Sequence, residues 1–163
     1  MTVRRARTSD LERIMELYEI GREYMRKTGN LTQWVNGYPS RELVLSDISA
    51  NELYLICDGE CVAGVFYYAQ LEDPTYAYIE GEWLNSRPYG VIHRIAGDGV
   101  HHGIFRTAFE YVNTFIREIR VDTHEDNKTM QKSVEKCGFK RCGTIYISDG
   151  TPRISYHYSN PDN

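Results

Sequence analysis

Between an apolar run and a helical pattern, Gly97 to Phe105 reads GDGVHHGIF. The first backbone N–H groups of a helix have no partner within it and sit at the positive end of its dipole, so glycines there let an anion approach closely. The turn is a phosphate seat in outline, or an ordinary turn in which Gly99 and Gly103 only relieve backbone strain. His101 and His102 either add partial positive charge to it or form a solvated turn. Upstream, His93 carries a ring that titrates near neutral pH, which suits either a proton acceptor or a core histidine bonded to backbone. A second stretch, QWVNGYPSREL, puts Trp34 and Tyr38 in a loop, where large rings either line a binding cleft or plug the space beneath the next helix.

The elements that must hold these residues follow from periodicity. Val91, Ile92, Ile95 and Ala96 make a nearly continuous apolar run, as a strand covered on both faces would. Ile104, Phe105, Ala108, Phe109, Val112, Phe115 and Ile116 recur at helical spacing, and Ile119, Val121 and Thr123 alternate as the next strand. This is a βαβ unit. Before it come a short strand at Val3 to Ala6, a helix from Thr8-Ser9-Asp10 to Gly29 with Ser9 and Glu12 at capping-box spacing, and a helix capped by Ser40. A hairpin about Asp58-Gly59 follows. After Asn127 come a helix to Cys137, closed by Gly138, and a final hairpin about Asp149-Gly150. The string predicts an α/β chain, a mixed sheet flanked by helices on both faces, with one parallel pair.

Composition sets the bounds. The 163 residues predict a single domain spanning 1–163, with 41% apolar and 26% charged residues and a polar tail, Ser159 to Asn163, as the segment least able to pack. A net charge of −4 with interspersed signs gives no basic footprint for nucleic acid. The chain has no apolar run of spanning length and no signal-peptide pattern, which predicts a cytoplasmic protein without a membrane partner. Neither Cys57/Cys61 nor Cys137/Cys142 has the two-residue gap of the commonest zinc knuckles, so no metal is expected and the cysteines are read as small packed hydrophobes.

Element order, the βαβ turn, and RVDTHEDN at 120–127 followed by MQKSVEKCGFKRCG together resemble the GNAT (Gcn5-related N-acetyltransferase) superfamily over nearly the whole chain. That resemblance implies acetyl-CoA as co-substrate. The family's Q/R-x-x-G-x-G/A signature falls on Val100, His101, His102, Gly103, Ile104 and Phe105, of which only Gly103 matches, with Val100 and Phe105 replacing a polar and a small residue. It further implies that the pantetheine arm pairs with backbone near Ile95 and Ala96, in a splay between strands, and that Asn127 both bonds the arm and caps its helix.

Acetyl transfer to an amine then requires a base for the attacking nitrogen, donors for the thioester oxygen and an acid for the departing thiolate. Glu82 and His93 are the candidate bases, with Glu80 a third should the strand pairing slip. The family's usual tyrosine acid position holds Val134, so Tyr146, Tyr111 or Cys137 would have to serve. Trp34, Tyr38, Trp83 and the tyrosines from Tyr67 to Tyr78 are expected to shape a pocket for a small-molecule or peptide amine. The competing readings are a non-catalytic GNAT-fold binding or regulatory module with a degenerate acyl-CoA motif, and a protein holding another phosphate-bearing nucleotide. Edge strands in the last hairpin make a homodimer an open expectation.

Overall fold

A computed structural model describes residues 1–160; the remainder of the predicted polar tail, 161–163, lies outside the described residues. Eight strands form one mixed sheet in the order β1-β2-β3-β5-β6-β8-β7-β4. They are β1 (Thr2–Arg5), β2 (Leu53–Asp58), β3 (Cys61–Gln70), β4 (Glu80–Gly81), β5 (Gly90–Gly97), β6 (Glu118–Thr123), β7 (Lys140–Tyr146) and β8 (Pro152–Ser159). The helices are α1 (Leu11–Lys27), α2 (Arg41–Ser49), α3 (Ile104–Asn113) and α4 (Lys128–Lys136). One face of the sheet is buried with Ile14, Leu17 and Tyr18 of α1 and Val44 and Ile48 of α2. The other is buried with Phe105, Ala108, Phe109 and Val112 of α3 and Val134 of α4.

The feature that positions the site is a parting of β5 from β6. These parallel strands pair only at Gly90–Ile119 and Val91–Arg120. Beyond that point β5 stays with β3 as far as Gly97, and β6 stays with β8 as far as Thr123. Backbone groups of β5 past Val91 are thereby left facing a gap rather than a neighbour, the condition under which an extended amide-bearing chain can dock.

An irregularity in the β3–β5 register, between Val65 and Tyr67, coincides with Arg94 at φ 46°. Three contacts hold that conformation. The Arg94 guanidinium lies 4.3 Å from the Tyr67 ring centroid and makes a two-pronged pair with Asp47 at 3.0 Å and 3.0 Å. The Arg94 carbonyl accepts from the Tyr18 hydroxyl at 2.9 Å.

The start of α3 is seated by glycine. A Cβ on Gly64 or on Gly97 would stand 3.0 Å from Ile104, so the two bare backbones make a slot that only this side chain fills. Ile104 thus sets how far the first turn of α3 stands from the sheet.

Several boundaries depart from the sequence expectation. The first helical segment is capped two residues earlier than Ser9–Glu12 suggests: Asp10 accepts from the Arg7 N–H at 2.8 Å and is held by Arg4. The Ile79–Leu84 stretch does not run into the central strand; β4 crosses to the far edge and pairs with β7. Ser159 ends β8 rather than starting a tail, and the Asn160 N–H bonds the Arg117 carbonyl at 3.1 Å. Cys57 is buried as expected, but Cys61 is exposed beside the β2–β3 turn instead of packing as a small hydrophobe. Among the described residues, no helix is long and apolar enough to cross a membrane.

Candidate active site

A cleft of about 550 Å³ opens where β5 and β6 part. Ile95, Ala96 and Gly97 of β5 form its floor, the turn from Gly99 to Arg106 one wall, and Asn127, Thr129, Met130, Ser133, Lys136 and Cys137 the other. Ile20, Gly21, Tyr24 and Met25 of α1 and Trp34 of the α1–α2 loop cover it. The structure therefore brings together every residue expected to hold the cofactor except Val100, which is 74% exposed on the outside of the turn. Phe105 does not crowd the cleft: it is buried with its ring edge-on to Phe139 at 5.7 Å.

The cleft's electrostatics select an anion. Gly103 precedes α3 in the left-handed region, at φ 74°, and its carbonyl accepts the first bond of the helix from the Thr107 N–H. The N–H groups of Ile104, Phe105 and Arg106 come before that bond and have no partner within the helix. Arg106, Lys136, His101 and His102 line the same space, and no Asp or Glu does. Part of the turn is already committed, because Asp98 accepts from the Val100 and His101 N–H groups at 2.9 Å each.

Asn127 caps α4, its side-chain oxygen accepting from the Met130 N–H at 3.1 Å. Its amide nitrogen, expected to meet an arm in the splay, instead donates to Gln33 at 3.1 Å, and the same Gln33 oxygen accepts from Asn30 at 2.8 Å. Tyr24 bonds Thr129 at 2.6 Å and Thr32 bonds His124 at 3.0 Å. The α1–α2 loop and α1 thus bridge the cleft onto the β6–α4 segment.

A second group of polar residues lies on the α1/α2 face of β5. His93 Nε2 is 2.9 Å from Asp73 and Nδ1 is 3.8 Å from Asp122, with all three side chains 15–20% exposed. Asp122 accepts from the Tyr76 hydroxyl at 2.7 Å. Burial alone would raise the Asp73 carboxyl, but bonds from His93 and from the Thr75 hydroxyl and N–H outweigh it and hold it at about 2. An ionised Asp73 only accepts, so the His93 nitrogen that faces it, Nε2, carries a hydrogen, and Nδ1 is the nitrogen that faces Asp122. Tyr67 stacks on His93 at 6.1 Å, and a buried proximity to Glu52 drives its own hydroxyl up. His93 stands three residues before Ala96, about 10 Å along the strand from the cleft floor.

The remaining expected site residues fall in different places. Trp34 covers the cleft with its ring 5.6 Å from Tyr18 and 6.5 Å from Tyr38, so these two rings do stand over the parting of the strands. Trp83 is packed against Tyr76 at 5.0 Å and under Arg120 at 4.2 Å, a prop for the acidic group rather than a pocket wall. Glu82 is exposed just after β4, at the edge of the sheet, and is not among the residues that line the cleft. Tyr146 lies on that edge too, its hydroxyl bonded to Glu80 at 2.9 Å, which removes both from the cleft. Tyr111 packs in an aromatic cluster with Tyr54 and Phe115 outside the cleft; Cys137 is the one proposed acid that lines it, with burial pushing its thiol up.

Sequence reasoning missed Gly21, Tyr24, Gln33, Asp73 and Asp122. Gly21 had a signal, a glycine within a helix: its bare Cα is where Trp34 approaches, an added Cβ standing 3.1 Å from that ring. Asp73, just before Pro74, reads as a turn residue, and nothing local says that it meets His93.

No family model and no curated protein matches the sequence. Solved structures do match it. One is a GNAT-family acetyltransferase of Streptococcus agalactiae, 28% identical, with a TM-score of 0.89 over 99% of this chain and 96% of that one. Another is a putative acetyltransferase of Staphylococcus aureus, 24% identical, with a TM-score of 0.72 over 98% and 99%. A third is AAC(6')-Ib in complex with ribostamycin and coenzyme A, 20% identical, with a TM-score of 0.68 over 98% and 93%.

Proposed function

Taking the chain as an N-acetyltransferase of the GNAT superfamily, we propose that it moves an acetyl group from acetyl-CoA to the amine of a small, cationic acceptor. One observation carries this reading: charge is segregated across the parting of β5 and β6. The α3/α4 side is lined by cations and free amides without a carboxylate, which suits a diphosphate. The α1/α2 side holds Asp73 and Asp122 about His93, which suits an ammonium group.

Each residue's part follows from chemistry. Acetyl-CoA supplies the thioester; the turn from Gly103 to Arg106 holds its charged end, and the unpaired edge of β5 at Ile95 and Ala96 takes its arm. His93 Nδ1 accepts the proton of the attacking amine. Asp73 fixes the ring's tautomer and orientation, and Asp122 stabilises the imidazolium that results. Reaction by direct attack requires no covalent intermediate, only two substrates held in contact. The departing thiolate is protonated from solvent, because Cys137, though it lines the cleft, lies beside Arg106 at the charged end of the cofactor.

The AAC(6')-Ib neighbour binds an amine-bearing antibiotic with coenzyme A, which supports a small-molecule acceptor for this chain. Titration of acetyl-CoA by calorimetry, followed by thiol release over a panel of polyamines and aminoglycosides, tests the reading. Saturable binding and turnover enhanced for polycationic amines are expected; absence of binding heat would favour a module without acyl-CoA competence, which the Val100 and Val134 departures allow.

A further inference from the structure

The turn that faces the cleft has a second side. There His101 places Nδ1 2.7 Å from Asp98 and Nε2 3.2 Å from Asp58. Cys61, Asp98 and His101 each offer a ligand atom within 4.8 Å of the others. Asp58 and Cys61 are the closing pair of the β2–β3 hairpin, Cα partners across the two-residue loop Gly59-Glu60, so their side chains leave the same face of the hairpin end. Four residues of metal-binding type from two separate segments therefore converge at the rim of the cleft, which His101 also lines.

We propose that Cys61, Asp98 and His101 bind a single divalent ion of the zinc class, with Asp58 as the outer partner that orients the histidine. Asp58 faces Nε2 at 3.2 Å, so a carboxylate there puts the ring hydrogen on Nε2 and leaves the Nδ1 lone pair pointing to Asp98 at 2.7 Å. This is the arrangement of a carboxylate–histidine–metal triad. A thiolate, an imidazole and a carboxylate suit zinc, whereas magnesium and calcium favour oxygen alone. Zinc bonds of about 2.0–2.3 Å put tetrahedral ligand atoms roughly 3.5 Å apart, within a small rotation of the separations found. The exposed side of the cluster leaves a fourth position for water.

The pattern was hidden because it draws one cysteine from a pair whose spacing argues against a knuckle, and because its histidine lies some forty residues further on, within the phosphate turn. The ion would tie the β2–β3 hairpin to that turn. The assignment does not depend on the acetyltransferase reading, since it concerns metal binding alone.

Chelator-stripped full-length protein titrated with cobalt tests it. One equivalent of Co²⁺ should give tetrahedral d–d bands and a thiolate-to-cobalt charge-transfer absorption, and Zn²⁺ should displace it. Cys61→Ser, at an exposed position, should abolish the charge-transfer band, while Cys142→Ser leaves it unchanged. Asp58→Asn should keep the band but weaken affinity roughly 10–100-fold, as loss of an outer partner does. Absence of a stoichiometric cobalt spectrum in the wild type, or a band that survives Cys61→Ser, overturns the assignment.

Discussion

At the scale of single residues, the Asp73–His93–Asp122 group makes the most direct demands on experiment. His93→Ala should lower kcat by about 10²–10⁴ with little change in acetyl-CoA affinity, because the ring serves proton transfer and not the cleft; steady-state kinetics and calorimetry on one preparation separate the two. Asp73 also contributes to stability. Its carboxyl is held at about 2 in the folded chain against 3.8, its ordinary value, so the folded state favours the ionised form. That contribution, about 2 kcal/mol, is present above pH 4 and is lost as pH falls through about 2. Asp73→Asn should therefore cost stability at pH 7 and progressively less as pH falls from 4 through about 2, measured by urea unfolding across that range. His157 is a different kind of histidine: buried, it accepts from the Leu84 N–H at Nδ1 and faces Glu118 at 2.8 Å through Nε2, a neutral ring fixed between two partners. His157→Leu should destabilise by roughly 1–3 kcal/mol, the penalty for leaving Glu118 short of a donor, without touching turnover in the folded fraction.

At the scale of elements, the seat of α3 decides whether an anion can be gripped. Gly97→Val inserts side-chain atoms where a Cβ alone already stands 3.0 Å from Ile104, lifting the first turn of α3 from β5. Acetyl-CoA affinity should fall more than tenfold while the far-UV spectrum stays native. Gly103 acts through conformation rather than space, since nothing lies within 4 Å of its added Cβ yet its φ is 74°. Gly103→Ala should cost about 1 kcal/mol of stability, and a bulkier residue should weaken acetyl-CoA binding strongly by intruding on the approach to the amides. Both effects are readable by thermal shift with and without the nucleotide.

At the scale of the molecule, what was legible in the sequence was what repeats locally. The stripe from Ile104 to Val112 and the alternation of Ile119 to Thr123 gave the βαβ unit, the residues from Gly99 to Phe105 gave one cleft wall and Asn127 the start of the other. The acidic group beyond the cleft was not legible, because it is assembled by long-range register: Asp73 reaches His93 across a loop, and Asp122 reaches Tyr76 over 46 positions. The crossing of β4 to the outer edge puts Glu82 away from the cleft lining, and Tyr146 of β7 lies beside it on that edge. The Gln33 oxygen, shared by Asn30 and Asn127, has a kinetic meaning. A guest that claims the Asn127 amide must unfasten this latch, and the latch belongs to the same loop as Trp34. Loading should then be sequential and compulsory, the thioester first and the amine second, with free coenzyme A competing against the former and not against the latter in product-inhibition plots; Gln33→Ala should turn that order random.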